Sequence, residues 1–302
     1  MKWRRLGLVF CPDRQQPWMA SHAALPTPVA LDGDVVRVFF STRDAGNRSS
    51  IGFVDIDMRD PARILRVSET PVLAPGQFGT FDDSGVSIGC IVRSGEGDDH
   101  LYYMGWNLGR TAPWRNAIGL AQGSVRAGRF GRFADGPILD RDPGDAYSLS
   151  YPWVLRNAAG WQMWYGSHLR WAEDGTTPLH VIKGAVSDDG VAWRRDGRVV
   201  LGLSGAGETA LARPCVLRDG ERHRMWYAYR GERYAIGYAE SADGTTWQRR
   251  DSEAGLALAS EGWDAEMQCY PCVFDHGGRR YMAYNGNGYG RSGFGFAVLE
   301  AD

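Results

Sequence analysis

A short aromatic strand recurs five times along this 302-residue chain at a nearly constant step, and that period limits the fold more than any other feature of the sequence. The strands read Val38-Phe39-Phe40, Leu101-Tyr102-Tyr103, Met163-Trp164-Tyr165, Met225-Trp226-Tyr227 and Met282-Ala283-Tyr284. Their last residues, 40, 103, 165, 227 and 284, lie 63, 62, 62 and 57 apart. A further strand keeps the same step: Ile51-Gly52-Phe53, Ile118-Gly119-Leu120, Ile182-Lys183-Gly184, Ile236-Gly237-Tyr238 and Phe294-Gly295-Phe296. Several units end in Ser-x-Asp-Gly with a Trp shortly after, as at Ser187-Asp188-Asp189-Gly190 with Trp193 and Ser241-Ala242-Asp243-Gly244 with Trp247. Asp-Gly supplies the positive-φ turn of a tight hairpin, and the Trp opens an outermost strand.

Each unit therefore reads as about four short antiparallel strands. One such unit cannot bury both faces of its sheet, so the copies must pack face to face, and radial closure leaves only short, protected edges. The sequence predicts an all-β chain: a single five-bladed β-propeller of four-stranded antiparallel blades, one domain over residues 1–302. A β-sandwich of unequal sheets does not generate so regular a period.

Composition narrows the function classes. With 43% hydrophobic and 12% aromatic residues and 40 Gly, the chain is a folded, turn-rich protein with an aromatic core. A net charge of −2 without a long basic run lacks the electrostatic footprint of a nucleic-acid binder. The apolar stretch Leu6 to Phe10 is too short for a signal h-region and ends at Cys11-Pro12, and no run of 18 apolar residues marks a membrane helix, so a cytoplasmic protein is expected. The five cysteines are odd in number and read as reduced. Cys269 and Cys272 flank Tyr270-Pro271 in a strand pattern with no second pair to complete a zinc site, so packing is the expected role. His22, His168 and His180 show no close ligand spacing; no catalytic metal and no cofactor are predicted, and a structural cation held by Asp side chains and water in the channel stays an open alternative.

In a blade, the residues before the first strand and after the second lie at the same end of the channel. Before the first strands stand Ser21-His22, Asp82-Asp83-Ser84, Asp145, Glu208 with Arg213, and Asp264 with Glu266; after the second come Arg43-Asp44, Trp106-Asn107, His168, Arg230, and Asn285 with Asn287. Clustered carboxylates push their pKa values apart, which makes one an acid and another a base. Guanidinium forks recognise carboxylate or phosphate, or hold catalytic carboxylates in place. Trp18, Trp106, Trp114, Trp171 and Trp263 fall near the mouth, where an indole stacks on a sugar face or packs between blades.

The pattern resembles the superfamily of five-bladed propeller carbohydrate enzymes that includes arabinanases, xylosidases, invertases, levansucrases and mannoside phosphorylases. Its marks are Pro152-Trp153-Val154-Leu155 and Pro214-Cys215-Val216-Leu217, the Met-Trp-Tyr strands, and Ile236-Gly237-Tyr238-Ala239 with its Ser-x-Asp-Gly turn. The resemblance implies catalytic carboxylates at the starts of innermost strands, and Asp83 and Glu208 match those positions. The first unit offers Ser21-His22 where many of the hydrolases carry an Asp, and the third offers Ala146. The phosphorylase branch implies phosphate held by Arg, His and Asn, for which His22, Arg43, Arg115, Asn116, His168 and Arg230 are candidates.

The leading expectation is glycosidic bond cleavage with Asp83, Glu208 and Glu266 as catalytic carboxylates. Substrate contacts are expected from His22, Arg43, Asp82, Trp106, Asn107, Arg115, His168, Arg213, Arg230, Asp264 and Asn287. Asp83 and Glu208, in the second and fourth units, should face each other across the channel; about 6.5–9.5 Å would favour inversion and about 5 Å retention. Phosphorolysis, and a catalytically silent propeller that binds a saccharide or sugar nucleotide, are the competing readings. The partner expected is a carbohydrate or sugar phosphate, with no nucleic acid and no membrane.

Overall fold

The period seen in the sequence is the period of the strand pairing. The computed structural model describes residues 1–14, 16–93, 98–205 and 207–300, and within them the strands pair as five antiparallel units of four. The first unit runs Ser21–Ala30, Val35–Arg43, Ser49–Asp57, Ile64–Val67. The second is Gly85–Val92, Asp99–Leu108, Trp114–Ser124, Arg129–Arg132, and the third Leu149–Asn157, Gly160–Trp171, Pro178–Ser187, Val199–Leu201. The fourth is Ala210–Asp219, Arg222–Arg230, Tyr234–Ser241, Gln248–Arg249. The fifth is composite: Cys269–His276, Arg279–Asn285 and Phe294–Leu299 receive Trp3–Phe10 as their outer strand, from Trp3 opposite Leu299 to Phe10 opposite Phe294. The N-terminal apolar stretch is thus a sheet edge that ties the two ends of the chain together.

The first strands of successive units touch in order around a closed cycle, and Cys269–His276 returns to Ser21–Ala30. The aromatic second strands lie between the inner and outer strands and are buried on both faces: Phe39, Phe40, Tyr102, Tyr103, Trp164, Tyr165, Trp226, Tyr227 and Tyr284 have no exposed surface. Where the strand carries two aromatic residues, alternation sends them to opposite faces. One docks on the next unit: Tyr102 Oη donates to Gly190 O and Trp164 Nε1 to Gly244 O, so the Asp-Gly turns are also inter-unit sockets. Buried thiols join units as well, Cys90 accepting from Val154 N and Cys215 from Val273 N.

The other aromatic ring crosses the next strand, which explains the Ile-Gly motif. A Cβ at Gly119 or Gly237 would run into Tyr103 or Tyr227, and at Gly52 or Gly295 into Trp18 or Trp263. In the third unit the residue opposite Tyr165 is Lys183, not Gly184, so the motif is shifted by one there and an ammonium takes the glycine's place.

Each crossing tyrosine donates to a carboxylate that also holds an arginine from the outer side of its unit. Tyr103 and Arg132 meet Asp82 at 3.1 and 2.8 Å. Tyr165, Ser167, Lys183 and Arg195 meet Asp145 at 2.7, 2.5, 3.0 and 3.0 Å. Tyr284 and Arg5 meet Asp264 at 2.9 and 3.0 Å. In the fourth unit two acids divide this role, since Tyr227 donates to Asp251 while Arg249 bonds both Glu208 and Asp251. The first unit has Phe40 at this place, packed on Phe10 and Phe294.

Candidate functional site

The innermost strands are bulged at equivalent places, and the bulges build the channel mouth. Leu25, Tyr151, Arg213 and Tyr270 each precede a proline and have φ of 58°, 49°, 54° and 54°. A left-handed conformation in a non-glycine residue costs about 1–3 kcal/mol and collects at functional sites. Asn285 secures one of these bulges, accepting from Leu25 N at 2.8 Å and donating to Ala23 O and Gly293 O. The side chains so turned meet near the axis. Tyr151 and Tyr270 lie ring to ring at 5.6 Å with hydroxyls 3.4 Å apart.

Arg213 is fully buried deeper in the channel. It reaches from the fourth unit to Gly89 O of the second and to Thr27 Oγ1 of the first, with its guanidinium 5.3 Å from the Trp153 ring of the third. It is a strut across the ring and is not among the residues that line the cavities.

The axial cavity measures about 330 Å³ and includes His22, Ser41, Arg43, Asn47, Tyr151, Tyr270 and Tyr289 in its lining. Arg43, Asn47, Ser87, Met104 and Tyr151 are shared with a second cavity of about 340 Å³ that reaches Trp106, Leu108, Trp114 and Asn116. Three residues past the crossing aromatic, Arg43, Trp106, His168 and Arg230 stand at equivalent points of four second strands, whereas the fifth second strand ends earlier, at Asn285. Trp106 is fixed by its Nε1 bond to Ser49 Oγ at 2.7 Å, and the Arg43 guanidinium lies 5.8 Å from its ring. Trp171 packs edge-on against Trp114 at 4.8 Å.

The imidazoles here are neutral. Burial, with Arg43 and Arg291 adding to it, brings His22 down to about 4. Burial brings His168 to about 4 as well, and His180, 4.0 Å from it ring to ring, is lowered by burial, His168 and Arg230.

No protein-family model matches the chain. Two proteins of Mycobacterium tuberculosis match it end to end: uncharacterized protein MT1551 of strain CDC 1551 / Oshkosh and uncharacterized protein Rv1502 of strain ATCC 25618 / H37Rv, each 48% identical over 300 residues, 99% of this chain and 100% of the relative. The chain belongs to their family. Solved structures share its fold at low identity. A glycoside hydrolase aligns with TM-score 0.78 and 18% identity over 99% of this chain and 92% of that one. A thermostable family-43 glycoside hydrolase aligns at 0.68 and 14% over 93% and 91%, and the endo-arabinase of Bacteroides thetaiotaomicron VPI-5482 at 0.65 and 15% over 95% and 97%. The resemblance to the propeller glycoside hydrolases is thus present in the fold.

In this family member the carboxylates singled out from the sequence lie away from the axial cavities, whose linings contain no Asp or Glu among the described residues. Asp82 and Asp264 are tyrosine-arginine anchors as described above, and Glu208 holds Arg249 while Asp251 takes the tyrosine. Burial works to raise the Glu208 pKa, but its two bonds from Arg249 and one from Ser204 N hold it below the usual range. Asp83 faces a neighbouring trough of about 480 Å³ with Arg48, Phe78, Trp106 and Leu108. Burial opposes its ionisation, yet Asn107, Gly79 N, Ser84 and the Arg48 charge keep it ionised below the usual range. Asn107 is thereby a partner of Asp83, bonded to it at 2.9 Å.

Glu266 and Arg115 are exposed on the surface. Asn287 closes a loop, accepting from Glu266 N and donating to Gly262 O, and Asn285 is the brace of the Leu25 bulge. Trp18 and Trp263 cover glycines as packing residues. Of the sequence candidates, the structure brings His22, Arg43, Trp106, Trp114 and Asn116 into the cavities, with His168 and Arg230 at the strand positions equivalent to Arg43 and Trp106. Tyr151 and Tyr270 were missed, and the signal for them is the residue before proline in four of the five first strands.

Proposed function

We propose that the five units close as the blades of one five-bladed propeller domain over residues 1–302, and that its axial cavity binds a saccharide. The closed cycle of first-strand contacts supports the blade count. The lining of the joined cavities carries the binding reading: indole and phenol faces of Trp106, Trp114, Tyr151 and Tyr270 beside the polar groups of Ser41, Asn47, Ser87 and Asn116. Stiff aromatic planes take the apolar face of a sugar ring, and short polar side chains take its hydroxyls. The shared fold with glycoside hydrolases adds an analogy, which supports a carbohydrate ligand without assigning a reaction.

Glycosidic cleavage is the second reading, favoured by one observation: the Asp83 trough shares Asn47, Trp106 and Leu108 with the axial cavities, so a ligand spanning them would pass the Asp83 carboxylate. General acid catalysis needs a carboxyl held protonated near neutral pH. Asp83 and Glu208 are both shifted the other way. Titration calorimetry with mono- and oligosaccharides, beside turnover of aryl glycosides with and without inorganic phosphate, separates the readings. The expected result is binding that Trp114→Ala weakens about tenfold or more, with no turnover. Turnover lost in Asp83→Asn would replace the binding reading with hydrolysis, or with phosphorolysis if phosphate is required.

A further inference from the structure

Arginines of this protein that are largely withdrawn from solvent have carboxylate partners nearly everywhere. Arg37 pairs with Asp55, Arg132 with Asp82, Arg195 with Asp145, Arg249 with Glu208 and Arg280 with Asp219. Arg213 and Arg43 depart from the pattern: Arg213 is met within the fold by Gly89 O and Thr27 Oγ1, whereas Arg43 opens on a cavity. Its Nη1 donates to Asn47 Oδ1 at 2.8 Å and to Asn47 O at 3.3 Å, and its Nε and Nη2 have no acceptor among the described residues. The guanidinium is flanked by Trp106 and opens on both axial cavities, neither of which offers it an acid. Burial lowers its pKa although the Tyr270 and Tyr151 phenols work in the opposite sense, so the charge is held in a place that disfavours it.

The free donors of Arg43 therefore face the space a ligand would fill, and the lining supplies them no counter-charge. A neutral sugar leaves the Arg43 fork without an anion.

We propose that the saccharide of the axial pocket carries an oxyanion, a carboxylate or a phosphate ester, which the Nε and Nη2 donors of Arg43 hold. This rests on the saccharide reading above and adds the ligand's charge class to it. A planar fork matches either oxyanion in a bidentate way, and Lys lacks that geometry.

Titration calorimetry on the intact protein tests this with three matched ligands, a neutral hexose, the corresponding uronate and the corresponding hexose phosphate, against wild type, Arg43→Gln and Arg43→Lys. One anionic ligand is expected to bind about 10- to 100-fold more tightly than the hexose, as a charge-assisted bond would give. Which anion wins identifies the source, carboxylate or phosphate ester. Arg43→Gln should erase the preference with Tm nearly unchanged, and Arg43→Lys should restore it only in part. Equal affinity for the hexose and both anions, or a preference that survives Arg43→Gln, overturns the charge proposal while saccharide binding stands. Absence of binding by all three ligands to wild type overturns the saccharide reading and this proposal together.

Discussion

In the belt of tyrosine-carboxylate anchors, Arg132, Arg195, Arg249 and Arg5 each meet an acid at about 3 Å, whereas at the channel mouth Arg43 meets only the amide and carbonyl of Asn47. The two regions are built from the same residue types on the same strands. In the belt, every charge that leaves water gains a counter-charge and a phenol, so the anchor fixes loop, sheet and outer edge as one body. At the mouth, imidazoles are kept neutral, tyrosines are turned inward by left-handed bulges, and a guanidinium keeps donors unused. Even Arg213, which has no acid, is met from within by Gly89 O and Thr27 Oγ1; free donors that face a cavity belong to recognition.

The sharpest way to break the comparison is to remove one belt acid. Asp145→Ala would leave Lys183 and Arg195 facing each other without their shared carboxylate, and the expected loss is about 3–5 kcal/mol of stability, read by urea unfolding. A loss under about 1 kcal/mol would mean that the belt is not the scaffold proposed here.

The two regions should also separate along the pH axis. His168 has a folded pKa of about 4 against an ordinary value of 6.5, so between those values the unfolded chain binds more protons and stability falls as pH drops. The fall from His168 alone reaches up to about 3 kcal/mol. His180, facing it with Arg230 beyond, is shifted in the same sense and steepens the slope, while Trp171 on the other side adds no charge. The belt acid Asp145, lowered from 3.8, loses its contribution only below that window. Stability of wild type and His168→Phe between pH 7 and 4 checks this: the variant should show the shallower slope, and identical slopes would remove the mouth histidines from the account.

A smaller effect probes the one unit without an anchor. Phe40→Tyr adds a hydroxyl against Phe10 and Phe294 with no carboxylate waiting for it, and should cost about 1–2 kcal/mol in thermal unfolding. A neutral or stabilising result would reveal an acceptor in the first unit and make the belt continuous.

How much of this was legible beforehand follows from range. The Ile-Gly strands, the aromatic strands and the Asp-Gly turns are local signals, each satisfied within one unit of about 60 residues, so the sequence alone determined an all-β chain of five repeated antiparallel units and the level at which Arg43, Trp106, His168 and Arg230 stand. Only the tertiary structure decided that Trp3–Phe10 completes the fifth unit, because its partner Phe294–Leu299 lies at the other end of the chain. It also decided that Asp82 turns to the belt while Asp83 turns to an outer trough, and that Glu208 is held by Arg249. Neighbouring residues near a strand end face opposite ways, and a bulge reverses which one points inward, so the direction of a side chain is fixed by the register of strands that meet only when the ring has closed.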